Sequence, residues 1–252
     1  MKNIVVILSL CFYSVLAHAE CEGLAEKLNV RLYGTESGMA KDMSFSACKV
    51  WTFDPSKTIV VMAHHQASNL IKSSQDYSEG LYDLTVLLVN SNSSAIVNML
   101  FQKGVLSSDA IRLNNVIIDT APYNLGQNKR AFGVRAKFGT LSSVGSWEHS
   151  QLGLYIPREK KLDYVLGRIV VENKVFQPVD DCIEKLTDIT RTLSISKASN
   201  LGYADLMVKE KVIVDEGKRE KSECNVTKKI FTKNYVLRFN GEKYVVPVEL
   251  EY

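Results

Sequence analysis

The sequence predicts a mainly β protein. Antiparallel sheets in a sandwich-like arrangement are joined by one short N-terminal helix and minor helical insertions. Three observations carry this. From Cys48 onward the apolar residues recur mostly at every second position, the strand period. Turn-forming clusters such as Asn90-Ser91-Asn92-Ser93 and Asn240-Gly241 punctuate those runs. No Pro-rich linker and no fixed-period repeat divides the chain.

The first nineteen residues read as a secretory signal. Lys2 supplies a basic start, Ile4 to Leu16 is an almost unbroken apolar run, and Ala17-His18-Ala19 places small residues where a signal peptidase reads. The run is shorter than the roughly 20 residues a membrane-spanning helix needs. Cleavage is therefore expected after Ala19, leaving 252 − 19 = 233 residues, 20–252, as a single β-rich domain. Single all-β domains reach roughly 200–250 residues. A two-lobed structure joined near residues 172–186 is the main alternative. The expected location is the periplasm or the medium.

Within residues 20–252, Leu24, Leu28 and Arg31 give Glu22 to Arg31 a weak helical spacing, ended by Gly34 and Gly38. Lys57 to Ala63 is a β-branched strand. Tyr82 to Val89 is apolar on both faces, which predicts a central strand, and Ala95 to Phe101 returns as its hairpin partner. Asn115 to Asp119 and Arg130 to Phe138 follow, with Gly133 marking a bulge or a close neighbour. Gly139 to Ser150 reads as a Ser/Gly-rich loop with Trp147 at its tip. Gln151 to Ile156 and Tyr164 to Val171 form a second hairpin. In Leu186 to Ser196 the residues Ile189, Arg191, Leu193 and Ile195 share one face, and Leu206 to Val214 alternates in the same sense. Asp215 to Ser222 reads as a charged turn. Tyr235 to Phe239 and Glu242 to Val248 are expected to form a hairpin around a type I′ Asn240-Gly241 turn.

Composition excludes several functions. Removing Lys2 from 31 basic residues leaves 30 against 28 acidic, a net charge of +2, which gives no electrostatic footprint for nucleic acid or anionic lipid. No second apolar stretch has membrane length. Cys11 falls in the signal; Cys21, Cys48, Cys182 and Cys224 stay. In an oxidising compartment four cysteines imply two disulfides. Cys21–Cys48 and Cys182–Cys224 close the shortest loops and are preferred. Glu20 stands where a lipoprotein signal needs a small residue before its cysteine, which argues against lipidation of Cys21. The lack of C-x-x-C removes support for a redox motif or zinc ribbon.

Catalytic patterns are also missing. There is no G-x-S-x-G elbow, phosphate loop, H-E-x-x-H or EF-hand loop. The two Ser-x-x-Lys matches, Ser46/Lys49 and Ser194/Lys197, lie beside a cysteine and in a strand, and Asn225-Val226-Thr227 is a chance sequon. His64 and His65 point to opposite faces of a strand, so a metal or hydrolase site needs one of them to meet His149 and a carboxylate such as Glu148 or Asp119. No cofactor and no metal are expected.

Trp147, His149, Arg130 and Arg135 are the candidate binding residues. The least generic stretch is Asp119-Thr120-Ala121-Pro122-Tyr123-Asn124-Leu125 followed by Arg130-Ala131-Phe132-Gly133-Val134-Arg135. Asp119 or Thr120 is expected to bond backbone in a turn. Arg135, odd beside Phe132 and Val134, either forms a half-buried salt bridge or faces a partner.

This stretch, together with Gly202 to Leu206 and Leu237 to Val246, resembles a set of uncharacterised exported proteins of Gram-negative bacteria. The resemblance covers most of residues 20–252, implies a periplasmic or secreted β-rich protein, and supplies no catalytic residues. The function expected is a non-enzymatic, disulfide-stabilised envelope protein that binds a protein partner, of the inhibitor, immunity or accessory type. A glycan- or small-ligand-binding sandwich and a His/carboxylate envelope hydrolase are the alternatives.

Overall fold

The computed structural model describes residues 12–35, 42–66, 80–140, 145–178, 184–220 and 223–251. The predicted strand periodicity becomes two four-stranded antiparallel meanders. The first contains β1 (Met43–Val50), β2 (Lys57–His65), β3 (Gly80–Asn90) and β4 (Ile96–Ser108). The second contains β5 (Arg112–Asn124), β6 (Arg130–Gly139), β7 (Ser146–Arg158) and β8 (Lys161–Pro178). They join at one edge by a single parallel bridge, Met99↔Lys161. Buried Asn98 reinforces that thin seam, donating from Nδ2 to the carbonyls of Glu159 and Lys161 at 2.9 Å each. At the other edge β1 lies against β5.

Between the meanders sits the main core. Ile59, Val61 and Ala63 of β2 and Tyr82, Leu84, Val86 and Leu88 of β3 meet Val116 and Ile118 of β5 and Phe132, Val134 and Ala136 of β6. Phe132 is central, stacked on Tyr155 (5.8 Å) and edge-on to Trp51 (5.7 Å). The opposite faces of β2 and β3 are also apolar, and a helix explains why. α1 (Phe12–Tyr33) lays Ala25 and Leu28 over Val60, Met62, Leu87 and Val89. It begins ahead of the expected cleavage point and ends where expected. The Gly34 N–H donates to the Val30 carbonyl (2.8 Å), with Gly34 at φ +74°, the left-handed conformation that terminates helices.

The remaining strands cover the outside of the second meander. β9 (Glu184–Asn200) pairs with β8, β10 (Tyr203–Glu220) with β9, and β11 (Glu223–Leu237) with β10. A second core forms where Leu152, Leu154 and Ile156 of β7 and Val165, Ile169 and Val171 of β8 meet Leu206, Val208, Leu237, Phe239, Tyr244 and Leu250. Gly133 is a close-approach position: a Cβ there would fall 2.7 Å from Leu152 Cδ1 and 3.1 Å from Asp119 Cβ.

Several expectations change. Met43–Val50 is a strand that its mixed composition does not announce. Ser146 to Ser150 belongs to β7, so Trp147 stands on a strand and not at a loop tip; residues 141–144 of the expected loop lie outside the described residues. Asp215 to Glu220 continues β10, where Lys228 and Lys229 meet the Asp215 and Glu216 carboxylates; residues 221–222 of the expected turn lie outside the described residues. The last hairpin is only a bridge, Phe239↔Tyr244. The Asn240 side chain accepts the N–H groups of Glu242 and Lys243, Tyr244 donates to the Val165 carbonyl instead, and the chain ends in a 3₁₀ turn, Val248–Leu250. Gly241 takes φ +106°, so it is the turn residue expected, in a different turn.

The side chains of Cys21 and Cys224, and the whole of Cys182, lie outside the described residues.

Candidate functional site

The stretch from Asp119 to Tyr123 is a bulge in β5. The register between β5 and β6 shifts between Asp119 and Tyr123, where Pro122 has no N–H to give to a ladder. Asp119 organises it. Its Oδ1 accepts from the Ala121 N–H (3.0 Å), and its Oδ2 accepts from Tyr123 OH (3.0 Å) and from Arg135 Nε and Nη2 (3.0 and 2.8 Å). Arg135 also faces Glu172 at 3.8 Å. Arg135 therefore forms the half-buried salt bridge, one of its two expected roles. Burial alone would raise the Asp119 carboxyl, but the Ala121 N–H and the Arg135 guanidinium outweigh it and hold the group below its usual range. A carboxylate so fully bonded is a brace and is poorly tuned for proton transfer near neutrality.

Trp147 and His149 stand together at the start of β7, between the end of β6 and the distal half of β8. His149 pairs with Phe138 and Asn173, and Trp147 with Val175. The His149 ring stacks on Phe138 at 4.5 Å and 8°, so it is no surface-loop histidine, and burial lowers its pKa. Trp147 is 41% exposed, yet fixed at three points. Its indole N–H donates to Asn173 Oδ1 (2.6 Å), its backbone N–H to Thr140 Oγ1 (2.9 Å), and its carbonyl accepts the Thr140 N–H (2.9 Å). Asn173 was not among the sequence candidates, and no local pattern marks it.

Arg130 is elsewhere. It begins β6, about 26 Å along an extended strand from Phe138, where it bonds Asn124 Oδ1 (2.8 Å) and lies over the Phe53 ring (5.3 Å). The four candidates thus divide among a Trp147/His149 rim, an Arg135 brace and an Arg130 corner.

His64 does not approach His149. It is 1% exposed on β2 beneath α1, with Nε2 2.9 Å from Asn29 Oδ1 and the Tyr33 ring edge-on at 5.3 Å. Tyr33 OH in turn meets Thr85 Oγ1 at 2.7 Å. His65 points the other way, against Tyr82 (5.0 Å). Among the described residues no group of three His, Cys, Asp or Glu side chains is placed to hold a metal. A cleft beside the β7–β8 turn is lined by Arg158 to Lys161 and Asp163, but Arg158 is already engaged by Asp163 (2.7 Å) and Tyr203 OH (2.9 Å).

His64 gives a pH dependence with a definite sign. Burial lowers its pKa below 6.5, against the opposing pull of Asp83 and Asp42. The unfolded chain therefore binds a proton that the folded chain resists. Stability is complete above about 6.5 and falls as pH drops through the window below it. Thermal midpoints measured from pH 7.5 to 5 should decline, and His64→Gln should flatten part of that decline. Asp119, with its lowered carboxyl, contributes only in the more acid range below the ordinary carboxylate value.

Compared with known proteins, the chain matches no family model, no curated protein and no solved structure. No helix of the described residues is long and apolar enough to cross a membrane.

Proposed function

We propose that this is an exported, non-enzymatic envelope protein that binds a protein partner through the rim around Trp147. The observation that carries the reading is the state of that side chain. The residue is 41% exposed while its indole N–H is satisfied within the protein by Asn173. A partner covering it desolvates no unpaired polar atom and freezes no free rotor, two of the usual costs of association. Rigid tryptophans of this kind are the side chains on which interface energy concentrates.

Export is supported by the signal-like N-terminus and by the four cysteines that follow it, a number suited to two disulfides in an oxidising compartment. Cys21–Cys48 is the pairing that fits. Cys48 packs with Leu24 against the cluster that holds Ala25 and Leu28, and Cys21 precedes Ala25 by one helical turn. Cys182–Cys224 suits the topology: Pro178 and Glu184, which bracket Cys182, lie at the end of the sheet where β10 passes to β11.

The test is affinity capture from envelope extract with wild-type protein, Trp147→Ala and, as a control, Phe53→Ala, whose ring is exposed at a different place. The Trp147 variant is expected to lose at least about 2 kcal/mol, or roughly thirtyfold in affinity. The Phe53 variant should bind like wild type. Equal recovery by all three, or a thermal shift with cell-wall fragments and no protein at stoichiometric level, contradicts the proposal.

A further inference from the structure

β11 is an edge strand that carries three lysines and, among the described residues, no other protection. Such strands are normally shortened, bulged, interrupted by proline or guarded by free charges against pairing with another chain. β11 runs 15 residues, Glu223–Leu237, with no proline, and its ladder with β10 is unbroken from Leu206↔Leu237 to Glu220↔Glu223. On its other side no strand pairs with it among the described residues. Its lysines are already engaged: Lys228 with Asp215 (3.9 Å), Lys229 with Glu216 (3.1 Å) and Lys233 over the Tyr235 ring (4.5 Å). Val226, Ile230, Phe231 and Val236 are 70, 54, 56 and 46% exposed.

We propose that a second copy of this chain pairs with β11 antiparallel, about a twofold axis through Ile230. Ladder geometry requires the axis to pass through a residue, because directly opposed residues must both turn their N–H and C=O groups toward the seam or both away from it. Ile230 is the midpoint of Glu223–Leu237, so this register pairs the whole strand. It is also self-complementary. Lys228 comes opposite Thr232 of the second copy, Lys229 opposite Phe231, Lys233 opposite Thr227, Val226 opposite Asn234, and Ile230 opposite itself. No like charges oppose. Moving the axis one residue to Phe231 sets Lys229 against Lys233, and moving it to Lys229 sets that lysine against itself; directly opposed like charges are destabilising. The result is an isologous dimer with one sheet running through both copies. In each copy Trp147 lies four strands from the seam, through Val175, Thr187, Val214 and Lys229, so the two rims fall on a common sheet. The proposal does not depend on what the Trp147 rim binds.

Sedimentation velocity of the full mature chain over a concentration series tests it, with Ile230→Lys and Phe231→Glu as variants. Wild type should be dimeric. Ile230→Lys places two like charges on the axis and should weaken the dimer about tenfold or more. Phe231→Glu faces Lys229 of the second copy and should hold or tighten it. Both positions are exposed, so far-ultraviolet spectra and thermal midpoints of the monomers should match wild type. A wild-type monomer at the highest soluble concentration overturns the proposal, as does a dimer indifferent to Ile230→Lys. A photo-cross-linker at position 230 that captures a different protein in cells, and never its own chain, overturns it too.

Discussion

Replacing Arg191 by alanine is expected to destabilise the fold by about 3–5 kcal/mol, the usual cost of removing one partner from a buried ion pair. The side chain is 3% exposed and joins three separate parts of the chain. Nε donates to Glu210 Oε2 of β10 at 2.8 Å, Nη1 to the Val170 carbonyl of β8 at 2.8 Å, and Nη2 to the Glu249 carbonyl of the C-terminal turn at 2.8 Å. Alanine leaves a buried carboxylate without its cation and takes a charged donor from the Val170 and Glu249 carbonyls. Lysine restores the charge but not the fork, so Arg191→Lys should recover only part of the loss. The pair itself carries little net stability, because desolvating both charges nearly offsets their attraction. Arg191→Met with Glu210→Leu should therefore be far more stable than Arg191→Ala alone. Urea denaturation midpoints at constant slope decide the matter. A single variant within 1 kcal/mol of wild type would show that the clamp does not hold the C-terminal segment.

Losing the proposed Cys21–Cys48 disulfide should have a comparable effect. The closed loop would span residues 21–48, and opening it should cost about 3–4 kcal/mol through the entropy returned to the unfolded chain. The cost should fall first on α1, whose described side chains bury only two apolar residues, Ala25 and Leu28, over β2 and β3. Cys48→Ala and dithiothreitol-treated wild type should show the same lowered denaturation midpoint. Reductant should add little to the variant beyond what a second disulfide contributes. An oxidised wild type no more stable than Cys48→Ala would remove the staple from the account.

The sequence reveals the strands whose burial is written in their own side chains. β3 is apolar on both faces because a core lies on one side and a helix with β2 on the other; alternation cannot miss it. Gly34 marks the helix end because only a left-handed residue closes it there. Segments whose structure depends on partners distant in sequence are harder to read. Ser146 to Ser150 has loop composition, but β6 and β8 pair with it on both sides. Asp215 to Glu220 looks like a solvated turn until Lys228 and Lys229 reach Asp215 and Glu216 from the neighbouring strand. Arg191 does appear in sequence, as a charge on an apolar face with Ile189, Leu193 and Ile195. The acceptors Glu210, Val170 and Glu249 lie 19 to 58 residues away, and nothing local names them. The site divides the same way. Trp147 is conspicuous by its residue type, whereas Asn173, which fixes the ring, is an ordinary asparagine made significant by register.

A non-reducing peptide map with intact mass, on protein recovered from the periplasmic or secreted fraction, tests the exported, sulfur-stapled scaffold most directly. The expected product is a chain beginning at Glu20, with the Cys48 peptide linked to the peptide carrying Cys21 and no free thiol. A chain that retains Met1 in the cytosol with Cys48 alkylatable before reduction would contradict it.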